Sequence, residues 1–231
     1  MLAKKTFLNL PDEKQRKIID VAIQEFATKG YQKASINTMI AALGIAKGSM
    51  YQYFDNKESL FRFIFEYGIR LIKDTVRQAE GSVLTGQDTF TKIQVFLSSS
   101  IEFVKEHPLI FRLYLRTAFE SDLPFKQELV KKVYLSSMGY LIPLLEEGKM
   151  AGEIRKDCKS DLVAFMIMAM IDRLLQSYLW AHLDRTSLSP WLMPENPEQD
   201  LLELVEILKR GLKNPPAGPE RWQGVETIND N

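Results

Sequence analysis

The stretch Ser35-Ile36-Asn37-Thr38-Met39-Ile40-Ala41-Ala42-Leu43-Gly44-Ile45-Ala46-Lys47-Gly48-Ser49-Met50-Tyr51-Gln52-Tyr53-Phe54 decides the fold. Ile36, Met39, Ile40 and Leu43 recur at i, i+3, i+4 and i+7, one buried face of a short helix. Ser35 stands where a side chain would cap that helix, and Gly44 ends it. Met50 and Phe54, four apart, give a second short helix its own apolar face, which Ile45 and Leu43 extend. Gly44-Ile45-Ala46 is too short a link for an antiparallel pair, so the two helices must cross steeply. That is helix-turn-helix geometry, in which the second helix lies in the DNA major groove.

The other face of the second helix carries Lys47, Gly48, Ser49, Tyr51, Gln52 and Tyr53. A lysine supplies charge for a phosphate, and a glycine allows close approach. Ser49 and Gln52 can bond base edges, and tyrosine hydroxyls reach phosphates. Ser35 and Asn37 at the start of the first helix, and Lys57 at the start of the next one, complete the candidate DNA-binding set.

Outward from this core, the pattern stays helical. Pro11 suits a first helical position, with Asp12 and Glu13 favourable at the positive end of the dipole. Ile19, Ala22, Ile23 and Phe26 form a stripe that Gly30 should end, and residues 1–9 read as a loose arm. Asp55 and Glu58 form a capping-box pattern opening a long helix from about Lys57 to Ala79, before Gly81 and Gly86. A second helical region runs from 87 to about 212. In it Pro108 and Pro124 mark starts, Pro143 should kink or end a helix, Gly148 and Gly152 mark a turn, and Ser160 can cap. Pro190, Pro194 and Pro197 give a loop over 184–197, and a last helix spans about 198–212. The predicted division is a head over residues 10–56, a body over 57–212 and a flexible tail over 213–231, all-α throughout.

Composition sets outer limits. Of 231 residues, 45% are hydrophobic and 26% charged, enough for a sizeable core. Thirty basic residues balance thirty acidic ones, which excludes a uniformly basic coat. Residues 1–60, however, carry a net +3, at the end where the helix-turn-helix lies. A single cysteine, Cys158, excludes a disulfide framework and a zinc cluster within one chain, and suits a reducing cytoplasm. The longest apolar run, Leu162 to Ile171, has ten residues, against about 18 for a membrane span, and no secretion signal is visible. His107 and His182 are far apart, and no phosphate loop, nucleophile elbow or His-Glu-x-x-His motif occurs. No enzyme, metal or cofactor is therefore expected.

The segment Ala34 to Leu60, with its string Lys47-Gly48-Ser49-Met50-Tyr51-Gln52-Tyr53-Phe54-Asp55-Asn56-Lys57, closely resembles the DNA-binding domain of TetR-family transcriptional repressors. Phe26-Ala27-Thr28-Lys29-Gly30-Tyr31 matches the end of that family's first helix, so the resemblance covers roughly residues 12–65. Glu147 to Arg155 is similar to the turn before the family's penultimate long helix. Three positions depart: Ala46 where Ser or Thr is common, Thr38 for an acidic residue, and Met39 for Ile.

The resemblance implies a helix-turn-helix head of three helices, joined by a linking helix to a helical body for ligand binding and dimerisation. It implies a homodimer on a near-palindromic double-stranded operator, acting as a repressor and released by a small apolar or amphipathic effector. The last two helices would build the dimer interface. The all-apolar run from Leu162 would then serve interface and pocket wall, with Asp172 and Arg173 behind it expected in an ion pair, within the chain or across the dimer, rather than in a ligand contact. Twelve aromatics lie between 87 and 180, of which Phe103, Phe111, Tyr114, Phe165 and Tyr178 are the candidates for lining an effector site. The rival readings are a helical protein–protein adaptor with an architectural helix-turn-helix, and a small all-α enzyme. Sequence-specific, salt-dependent DNA binding separates both from the first.

Overall fold

The computed structural model describes residues 2–82, 86–120, 123–183 and 196–213, with the side chains of Ser82 and of 179–183 excepted. Among them lie ten helices: α1 (Lys5–Leu8), α2 (Asp12–Lys33), α3 (Ile36–Leu43), α4 (Lys47–Tyr53), α5 (Lys57–Ser82), α6 (Thr89–Glu106), α7 (Pro108–Phe119), α8 (Lys126–Met150), α9 (Ser160–Leu183) and α10 (Pro197–Leu212). The one β-bridge among these residues pairs Ile154 with Lys213. The predicted loop over 184–197 and the predicted tail fall almost wholly outside the described residues.

Helices α2, α3 and α4 form the head, and α5 leads from it into the body. There α6 is central, packing on α5, α7, α8, α9 and α10, while α8 and α9 form an antiparallel pair. Gly44 adopts the left-handed conformation (φ 65°, ψ 30°) that α3 needs to stop and α4 to leave at a steep angle.

Residues 1–9 are not a loose arm. Ala3 and Phe7 are buried, and the Phe7 ring sits 4.9 Å from Phe54 and 5.2 Å from Phe63, centroid to centroid. The arm therefore supplies the head with a plug, and the head begins before residue 10.

Local caps also differ from expectation. Ser35 occupies the N-cap of α3 but its hydroxyl makes no cap bond. Its backbone N–H instead donates to Glu25 Oε1 at 2.9 Å, and the same buried carboxylate pairs with Lys29. At α5 the capping box lies one residue later than predicted. Asn56 Oδ1 accepts from the Ser59 N–H (2.9 Å), and Ser59 Oγ accepts from the Asn56 N–H (3.1 Å). The reason is competition, because Asp55 is held by Lys4 at 2.7 Å and Glu58 by Arg62 at 2.7 Å. Ser160 is the first residue of α9 rather than its cap, and its hydroxyl donates to Glu146.

Helix α8 runs unbroken through Pro143. Pro143 and Gly139, whose carbonyl loses its helical partner, are both exposed, so water can replace the missing bond. Gly148 lies inside α8, not in the turn. A Cβ there would stand 2.5 Å from Thr89 Oγ1, so the glycine lets the start of α6 close on α8.

Candidate DNA-binding face and body cavity

Helix α4 has seven residues, too few to be stable alone. Met50 and Phe54, each 1% exposed, anchor one side of it in the head. Its free carbonyls at the C-terminal end are taken by the arm. The Lys4 N–H donates to Tyr53 O (3.0 Å), Lys4 Nζ to Tyr51 O (2.9 Å), and the Thr6 hydroxyl to Gln52 O. Lys4 and Thr6 are thus site-supporting residues that sequence reading missed. The available signal was Phe7, a lone aromatic in a segment otherwise read as loose.

With α4 held by its buried side and by its C-terminal carbonyls, Lys47, Gly48, Tyr51 and Gln52 are exposed on one face, and Ser49 and Tyr53 are half-buried. The Tyr53 ring packs edge-on against Phe7, at 6.2 Å between centroids. On α3, Asn37 is exposed and Ser35 half-buried. Lys57 is differently engaged. Its ammonium donates to Gln32 O (3.1 Å) and Ala34 O (3.3 Å) and lies 4.6 Å over the Tyr31 ring, tying α5 to the turn between α2 and α3. Gly48 stands in open space, since a Cβ there would meet no protein atom within 4 Å. Nothing inside the protein asks for glycine at this point, whereas a partner backbone pressed against the first turn would.

The body holds a cavity of about 380 Å³, open on one side, between α5, α6, α7, α8 and α9. Phe103, Phe111 and Tyr114 stand in its wall with Phe65, Phe96 and Val104. Phe165 and Tyr178 do not line it. Phe165 is 53% exposed on the outer face of α9, and Tyr178 is half-buried one turn past the last lining residue, Leu175. On its exposed side the cavity is edged by Lys73 and Arg77, both accessible, and by Glu80, which accepts a 2.5 Å hydrogen bond from the Tyr140 hydroxyl. Tyr140 stacks on Phe96, both in the cavity wall. Burial, and then the bond to Glu80, push its hydroxyl pKa upward.

Asp172 makes no ion pair within the chain among the described residues. Its carboxylate faces the cavity, where the Tyr114 hydroxyl reaches it at 3.5 Å. Burial raises the pKa of both groups, and the Asp172 charge raises that of Tyr114 further. Of the polar residues that the sequence offers an effector, Arg112, Arg116, Asp172 and Arg173, only Asp172 lines the cavity, and Lys73, Arg77 and Glu80 of α5 are lining groups the sequence did not single out.

Besides α5, the packing of α2 on α7 joins the cavity to the head. In α2, Gly30 leaves helical geometry (φ 73°, ψ 172°), and a Cβ there would lie 2.8 Å from Glu120 Oε1 and 3.3 Å from Arg116 Nη1. The next residue, Tyr31, donates its N–H to Glu120 Oε2 at 3.3 Å. Arg116 and Glu120 sit at the end of α7, the helix that brings Phe111 and Tyr114 to the cavity. Near the other end of α7, Gly68 of α5 admits Ile110 to within 2.6 Å of where a Cβ would be.

Among the described residues no group of three or more His, Cys, Asp or Glu could hold a metal, and no helix is long and apolar enough to cross a membrane.

Comparison with known proteins agrees with this layout. Residues 18–64 match the family model for bacterial regulatory proteins of the tetR family. The fatty acid metabolism regulator protein of Bacillus subtilis (strain 168) is 24% identical over 208 residues, 87% of this chain and 96% of its own. A TetR family transcriptional regulator from Chloroflexus aurantiacus J-10-FL, solved at 2.56 Å, is 26% identical with a TM-score of 0.70, covering 92% of this chain and 99% of the other. The regulator FadR from Bacillus subtilis in complex with stearoyl-CoA shares the fold, with a TM-score of 0.66 at 20% identity, over 85% of this chain and 98% of that one.

Proposed function

The chain belongs to the TetR family of transcriptional regulators and is not an enzyme, and from that premise we propose that it is a homodimeric repressor of a near-palindromic operator, released by an amphipathic small molecule with a long hydrocarbon portion. The observation that carries this reading is the position of the cavity. Its walls include α5, which follows directly on the recognition helix α4, and α7, whose end abuts Gly30 of the head. A molecule that spreads these walls displaces both supports of the head at once. It must bind the displaced state better, because equal affinity for both states shifts nothing.

The apolar wall supports a hydrocarbon ligand, and the exposed Lys73 and Arg77 at its edge support an anionic head group outside. The relatedness to a fatty acid metabolism regulator, and the fold shared with a stearoyl-CoA complex, support the same class, a long-chain acyl amphiphile.

For the dimer the support is Leu162, Phe165 and Met166 on α9, spaced i, i+3, i+4 and each about half exposed, with Leu202 and Ile207 also exposed on α10. An outward apolar stripe of this kind marks an association surface. In the dimer the two α4 helices would meet major-groove faces about one helical turn apart, roughly 34–36 Å.

The test is operator selection from genomic DNA, followed by titration of the protein–operator complex with a long-chain acyl thioester under fluorescence anisotropy. Release at saturable concentrations is expected. Undiminished operator binding with the ligand demonstrably bound would overturn the effector reading. A monomer at micromolar concentration with operator present would overturn the dimer.

A further inference from the structure

A hydrocarbon chain alone leaves part of the cavity wall unanswered. Asp172 projects from α9 into a space walled mainly by rings and aliphatic side chains, with no basic side chain paired to it among the described residues. Its one hydrogen-bond partner there is the Tyr114 hydroxyl, at the long distance of 3.5 Å. A carboxyl and a phenol side by side in such a wall keep acceptor and donor capacity to spare. A wholly apolar ligand laid over them would strip their water and return nothing, at a cost typical of an unsatisfied buried polar group.

We infer that the inserted part of the effector carries a hydroxyl group, seated between Asp172 and Tyr114, while its anionic head group lies at the Lys73 and Arg77 edge. The effector is then a hydroxylated long-chain amphiphile rather than a plain saturated one. This inference rests on the reading of the cavity as an acyl-type effector site. A hydroxyl both donates and accepts, so it suits Asp172 whether the carboxyl is ionised or protonated. An ammonium would suit only the ionised form, which burial disfavours, and would have to enter past two exposed basic residues. A free carboxylate inserted to this depth would face Asp172 with like charge.

Binding should be measured by calorimetry on the full chain, with long-chain acyl thioesters each carrying one hydroxyl at a different carbon, against the unsubstituted chain of equal length and a quaternary ammonium of equal length. One positional isomer is expected to bind about tenfold more tightly than the unsubstituted chain, the discrimination one well-made hydrogen bond supplies. Asp172→Asn should keep most of that preference, since an amide also donates and accepts. Asp172→Val should abolish it while the unsubstituted chain binds at least as well as before. Tyr114→Phe should weaken the preference and serves as the second variant if Asp172→Val folds poorly. If all isomers bind like the unsubstituted chain, and Asp172→Val changes nothing, the inference is wrong although the effector site stands. Should the ammonium bind best and lose its affinity in Asp172→Asn, the site takes a cation and the inference is likewise wrong. If no amphiphile of either kind binds, both the inference and the effector reading fall.

Discussion

In the head, Phe7, Phe26, Phe54 and Met50 are at most 1% exposed, and the rings meet at centroid distances near 5 Å. In the body, Phe103, Phe111 and Tyr114 stand around about 380 Å³ of unfilled space. The same residue types do opposite work in the two regions. Close packing fixes the small helix α4 in one place, as a device that reads spacing on a rigid duplex requires. The body gives up part of its packing to keep room for a guest, and two of the walls around that room, α5 and α7, are the helices that carry the head. Aromatic content therefore says little until it is known whether the rings touch one another or a void.

The sharpest way to break this contrast is to remove rings from one region and add one to the other. Phe54→Ala should cost about 3–5 kcal/mol and prevent DNA binding through loss of the folded head, seen as a lower denaturant midpoint. Val133→Phe, which points added volume at the cavity, should stay within about 1.5 kcal/mol of the parent and keep operator affinity while effector release is lost. A comparable loss of stability from both would mean that the body cavity is not free space in solution.

Next in size is the joint between the regions. Gly30→Ala forces a side chain into a backbone conformation that disfavours it, against Glu120, at a cost of about 1–3 kcal/mol. The expected signature is a weaker link between cavity and head. Operator affinity should change and its response to effector should shrink, with effector binding itself retained in calorimetry.

The face of α4 should show function and stability moving in opposite directions. Gly48→Ala adds a methyl where no protein atom lies near and favours the helix by about 0.5–1 kcal/mol, so the melting temperature should rise slightly. Operator affinity should fall, because the proposed interface puts the duplex backbone in that space. Lys47→Ala should lower the slope of log affinity against log salt by about 0.9, with sequence preference unchanged. Lys57→Ala should act mainly through stability, since its ammonium is bound to the turn between α2 and α3.

The smallest effect is one of pH. Burial raises the Asp172 pKa in the folded body, so the unfolded chain loses this proton first as pH climbs. Ionisation therefore lowers stability through and above the ordinary carboxylate range, in a cavity that also holds Lys73, Arg77 and Glu80 at its edge. Asp172→Asn should be more stable than the parent near neutral pH. The gain should vanish at acid pH, where both folded and unfolded carboxyls are protonated. A gain independent of pH would show that the side chain's charge is not the cause.

Much of the head was legible because its signals are local. The i, i+3, i+4, i+7 stripe of α3, the left-handed Gly44 and the Met50–Phe54 spacing each depend on neighbours a few residues away. What escaped depends on residues far apart in sequence. Asp55 lost its capping role to a lysine fifty-one positions earlier, and Asn56 took over. Ser35 lost its role to Glu25. In the body, the stripe of α9 is apolar all round, so periodicity could not say that Phe165 faces out while Met168 and Ile171 face the cavity. Nor could it show Asp172, one position past that run, turned inward. Pro143 misled for a related reason: its penalty is small where the freed carbonyl meets water, and exposure is a property of the assembled body.

The arm has a consequence for the order in which the head comes together. Lys4 and Tyr51, which it joins, are 47 residues apart in sequence. As the chain grows from its amino end, Phe7 emerges early and finds neither Phe54 nor Phe63 to dock on, although α2 and α3 already have partners in each other. The last turn of the recognition helix stays unfastened until the beginning of the chain returns to it. Closing that long loop carries an entropic cost before any contact rewards it. DNA-binding competence should therefore be among the last properties the head acquires on refolding, after most of its helical signal has recovered.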